Sequence, residues 1–402
     1  MTQLVLGFLM LCATQSVFAD SQALESLKRF LGQPLAERGN IAEQSFATAA
    51  LTKDEAAKAK QLLWDDRVAH LRESRAAEMK AGTLTEGDKK MPFAYRVFGD
   101  KPKTGRSLYI SMHGGGGAPK RVNDQQWENQ KRLYQPPEGV YVAPRAPTDN
   151  WNLWHEAHID PLFDRLIENM VVFEDVDPNR VYLMGYSAGG DGAYQLGPRM
   201  ADRWAAVSMM AGHPNDASPL GLRNIGFAIF MGGRDAAYDR NKIAGQWREK
   251  LAELRAADPE GYLHEVTIYP NKGHWMDRED AVSIDWMRKQ TRNLLPQKIV
   301  WQQDDVTHRR FYWLAVENPQ PKALLQATRD GQSIDLSSSD VNQVVVRLCD
   351  DMLDLDQPIR VTSGEGVLFE GQVERTIATL AKTLAERGDP QGMFAAEVPV
   401  SW

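Results

Sequence analysis

The chain has 402 residues, 43% hydrophobic and 25% charged, with a formal net charge of −7. That is a soluble globular composition, with length for a sizeable core and one or two appended modules. The acidic balance argues against a general affinity for nucleic acid or an anionic membrane, so no nucleic-acid partner is expected.

Residues 1–19 carry no charged side chain; an apolar block from Leu4 to Leu11 runs into a smaller, more polar stretch ending Val17-Phe18-Ala19. This pattern predicts a secretory signal peptide cleaved after Ala19, with an uncleaved anchor as the alternative. Cys12 follows Leu11, where a lipoprotein signal would have a small residue, so lipidation is not expected. Cleavage would leave Cys349 as the only cysteine, which predicts a secreted or periplasmic chain with no intramolecular disulfide and no integral membrane segment.

Residues 20–90 read as a helical segment. Thr52-Lys53-Asp54-Glu55 is a capping box, with Thr52 as N-cap and Glu55 reaching back; Ala56, Ala59, Leu62, Leu63 and Leu71 follow at helical spacings, and Gly82 is the expected stop. Over residues 91–295 strand-like runs alternate with helical ones. The strands are expected at Phe93 to Phe98, Ser107 to Met112, Gly139 to Ala143, Val181 to Met184, Ala205 to Ala211, Ile225 to Met231 and Leu263 to Tyr269. Amphipathic stretches fall near 122–134, 156–174, 188–202, 240–256 and 280–293. This alternation predicts an α/β fold, a mainly parallel sheet with helices on both faces, whose ligands bind beyond the carboxyl ends of the strands.

The polar signals fall at those ends. Met112 is followed by His113-Gly114-Gly115-Gly116-Gly117, whose backbone N–H groups could face a developing oxyanion. The run Val181 to Met184 leads into Gly185-Tyr186-Ser187-Ala188-Gly189, a G-x-S-x-G turn that would expose the Ser187 hydroxyl between strand and helix. Two later strands end in Gly232-Gly233-Arg234-Asp235 and in Pro270-Asn271-Lys272-Gly273-His274-Trp275. Serine, acid and histidine therefore come in the order Ser187, Asp235, His274. Asp239 is the rival acid, and Asp191, inside the helix after Ser187, reads as a capping or packing residue.

On these motifs, residues of about 92–295 resemble an α/β-hydrolase of the secreted esterase and oligopeptidase-like kind. The resemblance implies Ser187 as nucleophile, His274 as general base and then acid, and Asp235 as the group fixing the imidazole. It implies an oxyanion hole from the N–H groups of Gly114, Gly115 and Ala188, and no cofactor. Trp151, Trp154, His213 and Trp275, in strand-end loops, are expected to shape the substrate pocket, the alternatives being loop anchors for Trp151 and Trp154 and a rival base for His213. His155, His158 and Asp160 have a spacing that invites a metal reading, yet a serine triad needs none and no metal is expected.

Residues 296–402 read as a small β-rich accessory domain. Short strands are expected at Ile299 to Gln302, Arg310 to Val316, Ala323 to Ala327, Ser333 to Leu336, Val344 to Leu348, Ile359 to Thr362 and Val367 to Glu370, with turns at Asp330-Gly331 and Ser363 to Gly366 and a helix over Glu374 to Arg387. At least one of Phe311, Tyr312 and Trp313 is expected in the core, with a carbohydrate-binding face as the alternative. The expected activity is hydrolysis of a small-molecule or carbohydrate ester through an acyl-enzyme on Ser187. The alternatives are a serine peptidase using the same residues and a non-enzymatic binding protein on a hydrolase shell.

Overall fold

The computed structural model describes residues 22–338 and 340–402; the expected export segment, with Cys12, lies outside the described residues. After a helix over 22–31 (α1) come α2 (Lys53–Ser74) and α3 (Ala76–Ala81). The main sheet and its helices follow as β1 (Thr83–Glu86), β2 (Lys89–Phe98), β3 (Arg106–Met112), α4 (Lys120–Gln130), β4 (Gly139–Pro144), α5 (Ile159–Glu174), β5 (Val176–Tyr186), α6 (Ala188–Arg199), β6 (Ala206–Met210), β7 (Gly226–Gly232), α7 (Arg240–Ala257), β8 (His264–Tyr269) and α8 (Val282–Met287). The strand order is β1-β2-β4-β3-β5-β6-β7-β8, with β1 and β2 antiparallel and the rest parallel, the order of an α/β-hydrolase core.

Strands β4, β6 and β7 are buried along their whole length, which is why they read as continuous apolar runs. Alternate residues feed two cores. Leu108, Ile110, Val142, Leu183 and Phe227 pack with α5, α6 and α7, whereas Tyr109, Tyr141, Tyr182 and Phe230 pack on the other face with α8.

The helices at the amino end stop at Gly82, which caps α3 in the left-handed conformation, as its place in the sequence predicts. The capping box of α2 forms, with Thr52 accepting from the Glu55 N–H and the Glu55 carboxylate accepting from the Thr52 N–H. The sheet, however, begins at Thr83 rather than near Met91, because β1 folds back on β2 as a hairpin. Of the helix expected over 280–293, only Val282–Met287 forms as α-helix.

The carboxyl-terminal part contains β9 (Lys298–Gln302), β10 (Arg310–Phe311), β11 (Leu314–Ala315), β12 (Leu324–Asp330), β13 (Ser333–Ser338), β14 (Gln343–Leu348), β15 (Ile359–Ser363), β16 (Gly366–Gly371), α9 (Ile377–Arg387) and β17 (Ala396–Ser401). They form a five-stranded sheet, β16-β15-β13-β12-β9, and a four-stranded one, β10-β11-β14-β17. The expected run Arg310 to Val316 breaks in two around Tyr312, whose φ of 53° no strand accommodates. Phe311, Tyr312 and Trp313 are all buried, so none of them offers a carbohydrate-stacking face.

This module is fixed to the core by buried charges. Asp389 sits 2.7 Å from Arg292 and 3.6 Å from Arg203, with all three side chains about 1% exposed. Burial alone would raise the Asp389 pKa, but Arg292 and Arg203 overcome it and hold the carboxyl far below the usual carboxylate range. Arg203 also reaches Asp164 on α5 and the carbonyl of Arg387 at the end of α9. Removing the carboxylate would leave the desolvated Arg292 guanidinium with only the neutral acceptors of Asn179 and the Asp202 carbonyl, so Asp389→Ala is expected to destabilise the fold by about 3 kcal/mol or more. Urea unfolding followed by tryptophan fluorescence measures this, and a loss below about 1 kcal/mol would contradict it.

Candidate active site

Strand β5 turns into α6 at Ser187, which sits at φ 59° and ψ −121°, outside the region a serine ordinarily adopts. Two close approaches enforce that turn. A Cβ on Gly185 would lie 2.0 Å from the carbonyl oxygen of Gly189, and one on Gly189 would lie 2.2 Å from that of Met112 at the end of β3. The Ser187 N–H is bonded to the Met210 carbonyl of β6 at 2.9 Å, which ties the turn to the neighbouring strand.

Nε2 of His274 lies 3.0 Å from the Ser187 hydroxyl, and its Nδ1 lies 2.7 Å from Oδ2 of Asp235. Asp235 is only 3% exposed and has Arg240 at 3.8 Å from its other oxygen. The His274 ring is half-exposed toward the cleft. Asp239, the rival acid, points into solvent and pairs with Lys242 at 2.7 Å. Three residues far apart in the chain thus form one hydrogen-bonded line at the carboxyl ends of β5, β7 and β8.

The glycine loop after β3 runs beside them. An ideal Cβ on Gly114 would lie 3.2 Å from the Ser187 Cβ, so the loop backbone is next to the hydroxyl. The N–H groups of Gly114 and Gly115 have no acceptor among the described residues, and that of Ala188 opens α6, where a helix offers none. Three side chains brace the loop. Asn123 accepts from the Gly116 N–H at 2.8 Å and donates to Asp149 at 2.9 Å. Buried His113 donates from Nδ1 to the Gly114 carbonyl at 2.6 Å and accepts at Nε2 from the Ala146 N–H at 3.2 Å. Desolvation lowers its pKa to about 4, so it stays neutral, as this tautomer requires.

The third brace is Trp154, which serves as a loop anchor and not as a pocket wall. Trp154 is fully buried, donates its indole N–H to the His113 carbonyl at 2.9 Å and packs edge-on against the His113 ring. Trp151 is 62% exposed, with its ring 5.5 Å from that of His155, and does not line the cleft at Ser187. His213 also lies outside that lining; its ring accepts from the Asn215 N–H. Of the four expected pocket residues, only Trp275 borders the cleft. Asp160, part of the metal spacing, instead pairs with Arg199 and His308, each at 2.6 Å.

The cleft has a volume of about 700 Å³ and is lined by Gly114, Gly115, Tyr186, Ser187, His274 and Trp275, with Gln126, Asn129, Gln130, Arg132, Leu133 and Arg278. Tyr186 gave no sequence signal beyond its place before Ser187. Its hydroxyl donates to the His274 carbonyl at 2.7 Å and accepts from the Met276 N–H at 3.0 Å, which holds the histidine loop against the Ser187 turn.

The chain matches no protein-family model and no curated protein. Among solved structures it is similar to a thermostable esterase, at 17% identity and a TM-score of 0.38 over 52% of this chain and 62% of that one. It is also similar to the BES protein from Bacillus cereus, at 10% identity and a TM-score of 0.37 over 51% and 92% of the two chains. A third is an enterobactin and salmochelin hydrolase, at 15% identity and a TM-score of 0.36 over 51% and 91%. The chain spans less than two thirds of the length of the thermostable esterase.

Asp191, one turn into α6, is mostly buried and accepts from the His213 N–H at 2.6 Å. Burial raises its pKa to about 6, against the opposing pull of that hydrogen bond and of Arg240 and His274. An acid whose folded pKa lies above its unfolded value binds more protons when folded, so its ionisation costs stability as pH rises from about 4 to 6. Asp191→Asn, which keeps an acceptor for the His213 N–H, is therefore expected to be more stable than the parent at pH 8 by up to about 3 kcal/mol. The gain should vanish near pH 4. Denaturant midpoints of both proteins across this range check it, and a gain independent of pH would refute the assignment.

Proposed function

We propose that this chain, whose core has the α/β-hydrolase strand order, is a serine hydrolase that cleaves carboxylic esters through an acyl-enzyme on Ser187. The observation that carries the reading is the line Ser187–His274–Asp235, at 3.0 and 2.7 Å, opening on a cleft beside an unpaired glycine-loop backbone. The Ser187 hydroxyl attacks the ester carbonyl as its proton passes to Nε2 of His274. Asp235 accepts from Nδ1–H, fixing the tautomer in which Nε2 is basic and stabilising the imidazolium that forms. The N–H groups of Ala188 and of Gly114 or Gly115 receive the oxyanion, a contribution of about 3 to 4 kcal/mol per donor where water is excluded. His274 then protonates the leaving alkoxide, and a water it deprotonates releases the acid and frees Ser187.

Removal of the nucleophile or the base should lower kcat by roughly a millionfold, because the two act as a unit. Asp235→Asn should cost about 10⁴-fold, through loss of the tautomer. Wild-type protein is expected to label with a fluorophosphonate and to hydrolyse p-nitrophenyl esters faster than aminoacyl p-nitroanilides. Efficient anilide cleavage with negligible ester turnover would favour the peptidase alternative; folded protein that does not label would favour a binding role. An active Ser187→Ala variant would refute the nucleophile.

The export reading rests on the uncharged residues 1–19. Amino-terminal sequencing of the mature protein is expected to begin at Asp20, and a chain retaining Leu4 to Leu11 would overturn it. Among the described residues, no helix is long and apolar enough to cross a membrane.

A further inference from the structure

The cleft at Ser187 contains charge that acyl transfer does not use. Arg132, just past the end of α4, and Arg278, in the loop after His274, both line it, and neither side chain has a hydrogen bond or ion pair among the described residues. The charged groups around them are already engaged. Lys131 pairs with Glu128 at 2.6 Å and covers the Trp127 ring, and Arg288 pairs with Asp285. Lys272 takes both Asp277 and Glu279, the acidic neighbours of Arg278 in sequence. Asp280 is buried beneath the loop and accepts from the Tyr134 hydroxyl, so it senses Arg278 only through space. Two guanidinium groups therefore border one cleft, neither paired with a carboxylate among the described residues, in a protein whose net charge is −7.

Such an arrangement attracts an anion locally that the molecule as a whole repels. Guanidinium forks match a carboxylate edge-on. The rest of this wall is neutral, the amides of Gln126 and Asn129 and the faces of Leu133 and Trp275, and α4 presents its carboxyl-terminal end here. That end of a helix is electronegative, which suits one carboxylate flanked by two arginines better than a phosphate dianion. We infer that the substrate of this site is an ester that also carries a carboxylate, held by Arg132 and Arg278 while Ser187 attacks the ester carbonyl. The inference rests on the ester-hydrolase reading and names its substrate class.

The test compares kcat/KM for three esters: p-nitrophenyl hexanoate, mono-p-nitrophenyl adipate with its carboxylate on the acyl side, and the hexanoate of a ring-carboxylated nitrophenol with it on the leaving group. One anionic ester is expected to be preferred over the neutral one, and added salt should reduce that ratio. Each exposed arginine contributes about fivefold, so the ratio should fall by more than tenfold in the Arg132→Gln/Arg278→Gln double variant. The Arg132→Lys/Arg278→Lys variant should recover part of it, which a merely structural role would not predict. If the wild type turns over the neutral ester through Ser187 but the ratio is near one, or is unmoved in the double variant, the carboxylate inference fails and the hydrolase reading stands. If none of the three esters is hydrolysed, the hydrolase reading fails and takes this inference with it.

Discussion

Everything at the candidate site depends on one backbone contact, the approach of the first turn of α6 to the ends of β3 and β5. Gly189 lies against the Met112 carbonyl so closely that a single methyl group could not be inserted. That contact forces the sharp reversal at Ser187 and the positive φ that aims its hydroxyl out of the sheet. It also brings the loop that continues from Met112 alongside the hydroxyl. The Ser187 turn and the glycine loop are thus two outcomes of one steric constraint, whose strain is supported by the parallel pairing of β3, β5 and β6.

The second level of organisation is the bracing of the glycine and histidine loops by buried neighbours. Loop backbone with free N–H groups would ordinarily collapse onto its own acceptors. Here Asn123, His113 and Trp154 engage the glycine loop at other atoms and leave Gly114 and Gly115 open. His113 can do this because burial keeps it neutral, with one ring nitrogen donating and the other accepting. A protonated ring would have two donors and would lose the Ala146 contact. On the other side of the serine, Tyr186 fixes the histidine loop through two hydrogen bonds from a single hydroxyl. A strand residue adjacent to Ser187 in sequence thereby sets the position of His274, 88 residues away.

Much of this is legible in the sequence because it is local or periodic. Strand ends show as the last apolar residue before glycine, and the order Ser187, Asp235, His274 follows from reading those ends in turn. What the sequence hides is partnership across distance. Trp154 sits in a polar loop of Asn, His and Glu residues, so nothing nearby signals that its ring fills a cavity beneath His113. The spacing of His155, His158 and Asp160 looks chemical, yet Asp160 is taken by Arg199 and by His308, 148 residues further on. The hairpin at Thr83 is masked by charged residues on an exposed edge, where β-strands need little apolar patterning. Arg132 and Arg278 are unremarkable as sequence, since only the fold brings the end of α4 opposite the histidine loop.

The carboxyl-terminal module bears on this site by what it does not touch. Every residue lining the cleft at Ser187 falls between Gly114 and Arg278, so the module supplies none of the lining. Its contacts lie elsewhere. Lys298 reaches Asp258 and Arg223 bonds the Lys298 carbonyl, while Asp389 engages Arg292 and Arg203. A second cavity, of about 890 Å³, opens between Ala205, Ile225 and Gly226, at or just before the amino ends of β6 and β7, and Lys298 and Thr328 of the module. That cavity lies at the end of the parallel strands opposite Ser187, while the module also reaches Asp160 through His308 and Asp216 through Lys322. Buried ion pairs are a costly way to gain stability alone, but their demand for one geometry makes them suited to fixing a single docking arrangement. The Asp389 cluster thus favours one seating of the module, and it does so without contributing to the cleft at Ser187.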